Sequence, residues 1–179
     1  MSRVILQFST SLEWSSAIIR RICHSRFSHV DFVLPDGNML GASDSPTAPA
    51  IAGNPRGVAI RPPDYQPFGI RRRITIATDK FEAIYTAARS QLGKPFDNAA
   101  LHQFLSGVPA PPWHDTGQWF CAEHAAWSFW TCAFWPFKLA VNLGRLSPAE
   151  LIILLNPHFD ADELERPTPG LVLGSGEAT

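Results

Sequence analysis

Cys121 and His29 lie 92 positions apart, but their types and settings suit one reaction. A cysteine attacks a carbonyl as its thiolate, so a nucleophilic cysteine needs surroundings that favour the ionised form. The positive end of a helix helps, and a neighbouring imidazolium helps more. Cys121 stands at the mouth of the apolar stretch "GQWFCAEHAAWSFWTC", preceded by the cap-type residues Asp115, Thr116 and Gly117. His29 sits inside the apolar run "FSHVDFVL". On strand alternation it shares a face with Asp31 and Val33, opposite Val30, Phe32 and Leu34. A histidine on a strand facing a cysteine at a helix start can carry out acyl transfer through a thioester. Taken singly, each residue has a plainer reading: Cys121 as a core filler, and His29 as a hydrogen-bonded interior histidine.

A metal centre is the first rival. Cys121 and His124 are spaced i, i+3, and His29 or His114 could complete a set. Zinc sites legible in sequence have two close ligand pairs at a defined separation, and that pattern is missing. Neither a metal nor a cofactor is therefore expected. Glu123, two residues past Cys121, points to the other side of the helix and suits a cap or a structural ion pair.

The elements that must position these residues follow from pattern. "RVILQF" (3–8) reads as a buried strand. Thr10 to Glu13 has the form of a capping box ahead of a helix over about 12–23. "FSHVDFVL" and "NMLGAS" read as strands joined by the turn "PDGN". Residues 43–57, rich in Pro, Gly and Ala, read as a long loop of the kind that often forms a lid or a binding loop. "GVAIRP" and "RRRITIAT" are further strands, with Arg71-Arg72-Arg73 expected as a solvated strand edge. Asp79 is placed as the cap of a helix bearing Phe81, Ile84, Ala88 and Leu92 on one face, ended by Gly93. A helix over 97–106, an irregular loop "GVPAPPWHDTG" and the Cys121 helix come next. Ser147-Pro-Ala-Glu150 is a strong helix start. One domain over 1–165 and a disordered tail over 166–179 are expected, in an α+β class.

Composition narrows the function classes. The 179 residues allow one domain with a sizeable core. A net charge of −1 favours neither nucleic acid nor an anionic membrane as partner. Charged residues make up only 17%, with aromatics at 11%, so apolar surface is left over for a ligand groove or a protein partner. Three cysteines do not make a disulfide framework. The N-terminus lacks the features of a signal peptide, which points to cytoplasmic synthesis. The apolar window 119–143 is interrupted by Glu123, His124, Pro136 and Lys138, and so reads as a buried helix rather than a membrane span.

In order along the chain, "FSHVDFVLPDGNMLGA", "GVAIRP", "LGKPFD" and "WFCAEHAAWSF" resemble the circularly permuted, YiiX-like form of the NlpC-type papain-like superfamily. The resemblance covers about residues 3–135. It implies an antiparallel sheet packed against helices, including one with the cysteine at its N-terminus, and a histidine that precedes the cysteine in the chain. It also implies a thiol peptidase or amidase acting on peptide, peptidoglycan or acyl substrates. The permuted branch is similar to the lecithin retinol acyltransferase group. Relatives also occur in phage tails, which would place the protein in a virion or an assembly.

Three departures stand out: Ala122 for the usual Ser, Phe96 for the usual Tyr, and Gly41 where the histidine-orienting polar residue is usual. Strand register decides what could replace that residue. With a two-residue turn at Asp36-Gly37, His29 lies opposite Asp44. With a three-residue loop and a bulge it lies opposite Ser43. Opposed Cβ atoms are roughly 5 Å apart, within reach of an imidazole. Asp44 is the favoured choice, because an acid best fixes the tautomer and supports the imidazolium. Asp31, Ser43 and a bare Cys–His dyad stay open. The Cys121 main-chain N–H and the Gln118 side chain are the candidate oxyanion donors, and Trp113 is the candidate substrate contact. The rival reading is an inactive papain-like binding or assembly module, supported by the loss of the polar residue at Gly41.

Overall fold

The computed structural model describes residues 2–11, 14–45, 48–99, 117–134 and 146–166. Seven strands are joined in one sheet: β1 (Arg3–Ser11), β2 (His29–Val33), β3 (Met39–Ser43), β4 (Ala52–Gly53), β5 (Gly57–Arg61), β6 (Phe68–Ala77) and β7 (Phe159–Glu165). Their spatial order is β4-β5-β3-β2-β1-β6-β7, and every neighbouring pair is antiparallel. Four helices are described: α1 (Trp14–Ile22), α2 (Phe81–Arg89), α3 (Cys121–Thr131) and α4 (Pro148–Leu155). The class is α+β, as expected.

Alternation gives the sheet two different faces. On one, Val4, Leu6 and Phe8 of β1, Val30 and Phe32 of β2, Leu40 and Ala42 of β3, and Ile74 and Ile76 of β6 are buried. They share one apolar core with Ile84 and Ala88 of α2, Ala122, Ala125, Ala126 and Phe129 of α3, and Leu151 and Leu155 of α4. The small side chains of α3 let it pack closely on β2 and β3. The other face carries the alternate residues, and many of these are polar yet buried: Gln7, Ser9, His29, Asp31, Arg61 and Arg71. Such a buried polar face must be satisfied internally.

Several expected boundaries shift. β1 runs on through Thr10 and Ser11, so these residues lie in the sheet rather than in a capping box. The N-cap of α2 is Lys80, one residue past Asp79, and it makes no side-chain cap. The start of α4 holds: Ser147 Oγ accepts from Glu150 N at 3.2 Å and Glu150 Oε2 accepts from Ser147 N at 2.7 Å. The stretch 43–57 includes the short strand β4, paired to β5. The arginine run is not an edge. β6 lies between β1 and β7, with Arg71 bound to Asp64 and Glu165, Arg72 to Asp162, and Arg73 to Gln7. β7 itself went unread in the sequence. The 97–106 helix lies almost entirely outside the described residues, and the 166–179 tail outside them apart from Arg166.

Candidate active site

The β2–β3 hairpin sets the geometry. Leu34 N donates to Asn38 O at 2.8 Å, Phe32 faces Leu40, and Val33 faces Met39. Gly37 sits at φ +86, as a three-residue loop with a left-handed last position requires. This register continues to place Asp31 opposite Gly41 and His29 opposite Ser43. The ladder bonds stop at Phe32, so the two strands part on the His29 side. The side chain of the first residue of α3 hydrogen-bonds the ring.

Cys121 is that first residue and is 2% exposed. The helix is capped by Glu123, whose Oε2 accepts from Phe120 N at 3.3 Å. Its approach is fixed by the "LGKPFD" segment. Trp119 N donates to Pro95 O, Asp97 N to Trp119 O, and Val58 N to Lys94 O, tying β5 to the lead-in of α3. The Cys121 N–H is at the first helical position, where no intrahelical acceptor exists.

His29 Nε2 lies 3.0 Å from Asp31 Oδ2 and 2.8 Å from the Tyr65 hydroxyl oxygen. The Tyr65 hydroxyl is 2.9 Å from the same Asp31 oxygen and donates to it. The three groups close a triangle in which Nε2–H donates and Asp31 only accepts. With Nε2 so committed, Nδ1 is the nitrogen left for Cys121. Burial alone would lower the His29 pKa. The Asp31 charge and hydrogen bond, with those of Cys121, overcome it and raise the value to about 10. Burial pushes the Asp31 carboxyl up, but the His29 charge and hydrogen bond, the Arg61 charge and the Tyr65 hydroxyl together hold it below the usual carboxylate range. The Tyr65 phenol is raised well above its ordinary value, first by burial and then by Asp31, so it stays protonated as a donor.

Gly41 explains how Asp31 fits. A Cβ there would stand 2.0 Å from Asp31 Oδ1 and 3.3 Å from Val30 O. Any other residue at 41 would collide with the Asp31 carboxylate. The glycine on β3 and the acid on β2 are two sides of one arrangement.

The chain shares its fold with a solved structure. The metalloprotein yiiX from Escherichia coli O157:H7, designated DUF1105, matches with a TM-score of 0.55 over 92% of this chain and 97% of its own, at 14% sequence identity. No family model matches the chain, and no curated protein matches it. The likeness to yiiX establishes the α+β architecture.

The other candidates lie as follows. Asp44 does not reach His29; its Oδ1 takes Arg56 Nη2 at 3.0 Å and Nε at 3.1 Å at the surface. Its place in the chain is one residue beyond the register that the hairpin adopts. Ser43 Oγ accepts from Ser45 N at 3.2 Å. Gln118 is half-buried, three residues before Cys121. Trp113 lies outside the described residues. His124 is fully buried, with Nε2 3.1 Å from Ala88 O, and burial lowers its pKa to about 4, so it is a neutral core residue. Tyr65 was missed by sequence reasoning. It stands in "PPDYQPF", a loop that carries no pattern, and only the fold brings it over β2.

Proposed function

We propose that the protein is a papain-like thiol hydrolase in the permuted chain order, with Cys121 as nucleophile, His29 as acid and base, and Asp31 in the orienting role expected of Asp44. The hydrogen-bonded triangle of His29, Asp31 and Tyr65 carries this reading. An orphaned catalytic histidine was the main support for an inactive module, and here the histidine has a buried acid. The charged ring faces the Cys121 sulfur, which reacts as its thiolate. The sulfur attacks an acyl carbonyl, the carbonyl π electrons move to oxygen, and the Cys121 N–H with Gln118 receives the oxyanion. His29 then gives its Nδ1 proton to the leaving amine or alcohol as the acyl bond breaks, leaving a thioester. Water attacks the thioester while His29 takes its proton, the C–S bond breaks, the carboxylic acid leaves, and the sulfur returns to Cys121 beside the charged ring.

The fold neighbour yiiX is described as a metalloprotein. The donors here do not fit a resident metal: among the described residues no three His, Cys, Asp or Glu side chains gather as ligands, and His29 Nε2 is taken up by Asp31 and Tyr65.

The test is alkylation of Cys121 by iodoacetamide at pH 7. His29→Ala slows it about a hundredfold, in line with the loss of a positioned acid–base group. Equal rates in the two folded proteins would sink the reading.

A further inference from the structure

Arg61 is the last residue of β5 and is 0% exposed. A buried guanidinium needs a full set of acceptors and a counter-charge. The acceptors are main-chain carbonyls. Nη1 donates to Gly41 O at 2.9 Å and Ala59 O at 3.4 Å, and Nη2 to Gly57 O at 2.9 Å and Pro55 O at 3.1 Å. No carboxylate stands within ion-pair distance of it among the described residues. The nearest role for a counter-charge falls to Asp31. Both residues lie on the polar face of the sheet and both converge on Gly41, Arg61 binding its carbonyl while Asp31 Oδ1 fills the space beside its Cα. The guanidinium carbon also lies 5.3 Å from the centroid of the Tyr65 ring, whose hydroxyl binds Asp31. Asp31 Oδ1 and Arg61 Nε are both buried without a hydrogen-bond partner, so no direct contact joins the two side chains.

We propose that Arg61 is a positioning residue of this centre: a fixed buried cation that holds the Asp31 carboxylate, and through it the His29 ring, in place for Cys121. The inference rests on the thiol-hydrolase reading, because it assigns Arg61 a part in that site. Arg61 thus shares the Asp31 carboxylate with His29, whose charged ring faces Cys121. Arg61 also links three elements, since one side chain meets β5, the Gly41 carbonyl of β3 and the Tyr65 loop.

The experiment is a cycle of Arg61→Gln, Asp31→Asn and the double variant, with Arg61→Lys alongside. Each is read by iodoacetamide alkylation of Cys121 at pH 7 and by the urea midpoint. Arg61→Gln slows alkylation about tenfold, Arg61→Lys recovers most of it by restoring the charge, and Arg61→Gln adds nothing further in the Asp31→Asn background. The double variant, with no unbalanced buried charge, unfolds at higher urea than Arg61→Gln alone. Should Arg61→Gln fail to fold, recovery of folding in the double supports the proposal, and failure of both assigns Arg61 to main-chain clamping alone. Losses that multiply in the double, or Lys and Gln behaving alike, also overturn it. If wild type and His29→Ala alkylate equally, the hydrolase reading falls instead, and the urea cycle still reports whether Arg61 and Asp31 are coupled.

Discussion

Asp31 and Asp44 bear the same functional group, and their surroundings give them opposite fates. Asp31 is 2% exposed and bound to a histidine and a phenol, whereas Asp44 shares a surface pair with an arginine. A charge in water contributes little to geometry, because solvent and salt screen it. Asp31→Asn is therefore expected to slow Cys121 alkylation about a hundredfold, through loss of the anion that fixes the ring tautomer. Asp44→Asn is expected to stay within about twofold of wild type. Both are measured with iodoacetamide at pH 7 on proteins of native near-UV circular dichroism, and a reversed order would return the orienting role to Asp44. At this scale the sequence was legible for Cys121 and His29, each of which has a local setting that marks it. It was ambiguous for the acid, because Ser43 and Asp44 differ by one residue of register that a "PDGN" turn leaves open, while Asp31 shares the face of His29 on its own strand.

The hairpin element resolves that ambiguity, and the same register makes a stronger test. Residues 31 and 41 face each other across β2 and β3, and a Cβ at 41 points into the space that the Asp31 carboxylate fills. Opposed positions in an antiparallel pair are near enough for their side chains to exchange places. Asp31→Gly removes the acid, and adding Gly41→Asp supplies one from the facing strand. The double variant is expected to alkylate about tenfold faster than Asp31→Gly alone. A folded double with no recovery would show that the acid must come from β2. Elements elsewhere were legible where pattern is local, as in the Ser147 capping box. β7 was not. "FDADELE" is rich in residues that disfavour strands, and what makes it one is its partner: Glu165 and Asp162 meet Arg71 and Arg72 across the sheet. The meaning of the arginine run and of the acidic strand is written in each other, some 90 positions apart.

Over the whole molecule, two buried histidines set opposite limits on pH. His124 lies on the apolar side between Phe32 and Trp119, and burial holds it neutral down to about 4. An unfolded chain takes up a proton there near 6.5. Stability from His124 is thus complete above 6.5 and is lost as pH falls toward 4, by roughly 3 kcal/mol at about 1.4 per pKa unit. His29 works the other way. Its folded value is raised to about 10, chiefly by Asp31 working against burial. The folded protein keeps a proton that the unfolded chain releases near 6.5, so its contribution is complete below 6.5 and is lost as pH rises through 10. The two limbs meet near pH 6.5, where the fold is expected to be most stable. Urea midpoints measured from pH 4 to 10 should trace a dome. His124→Phe, which keeps the aromatic contacts, should flatten the acid limb alone, and His29→Gln the alkaline limb alone. A dome whose alkaline limb survives in His29→Gln would show that His29 is not held as the imidazolium, and with that the charged ring on which the proposed catalytic centre depends would be gone.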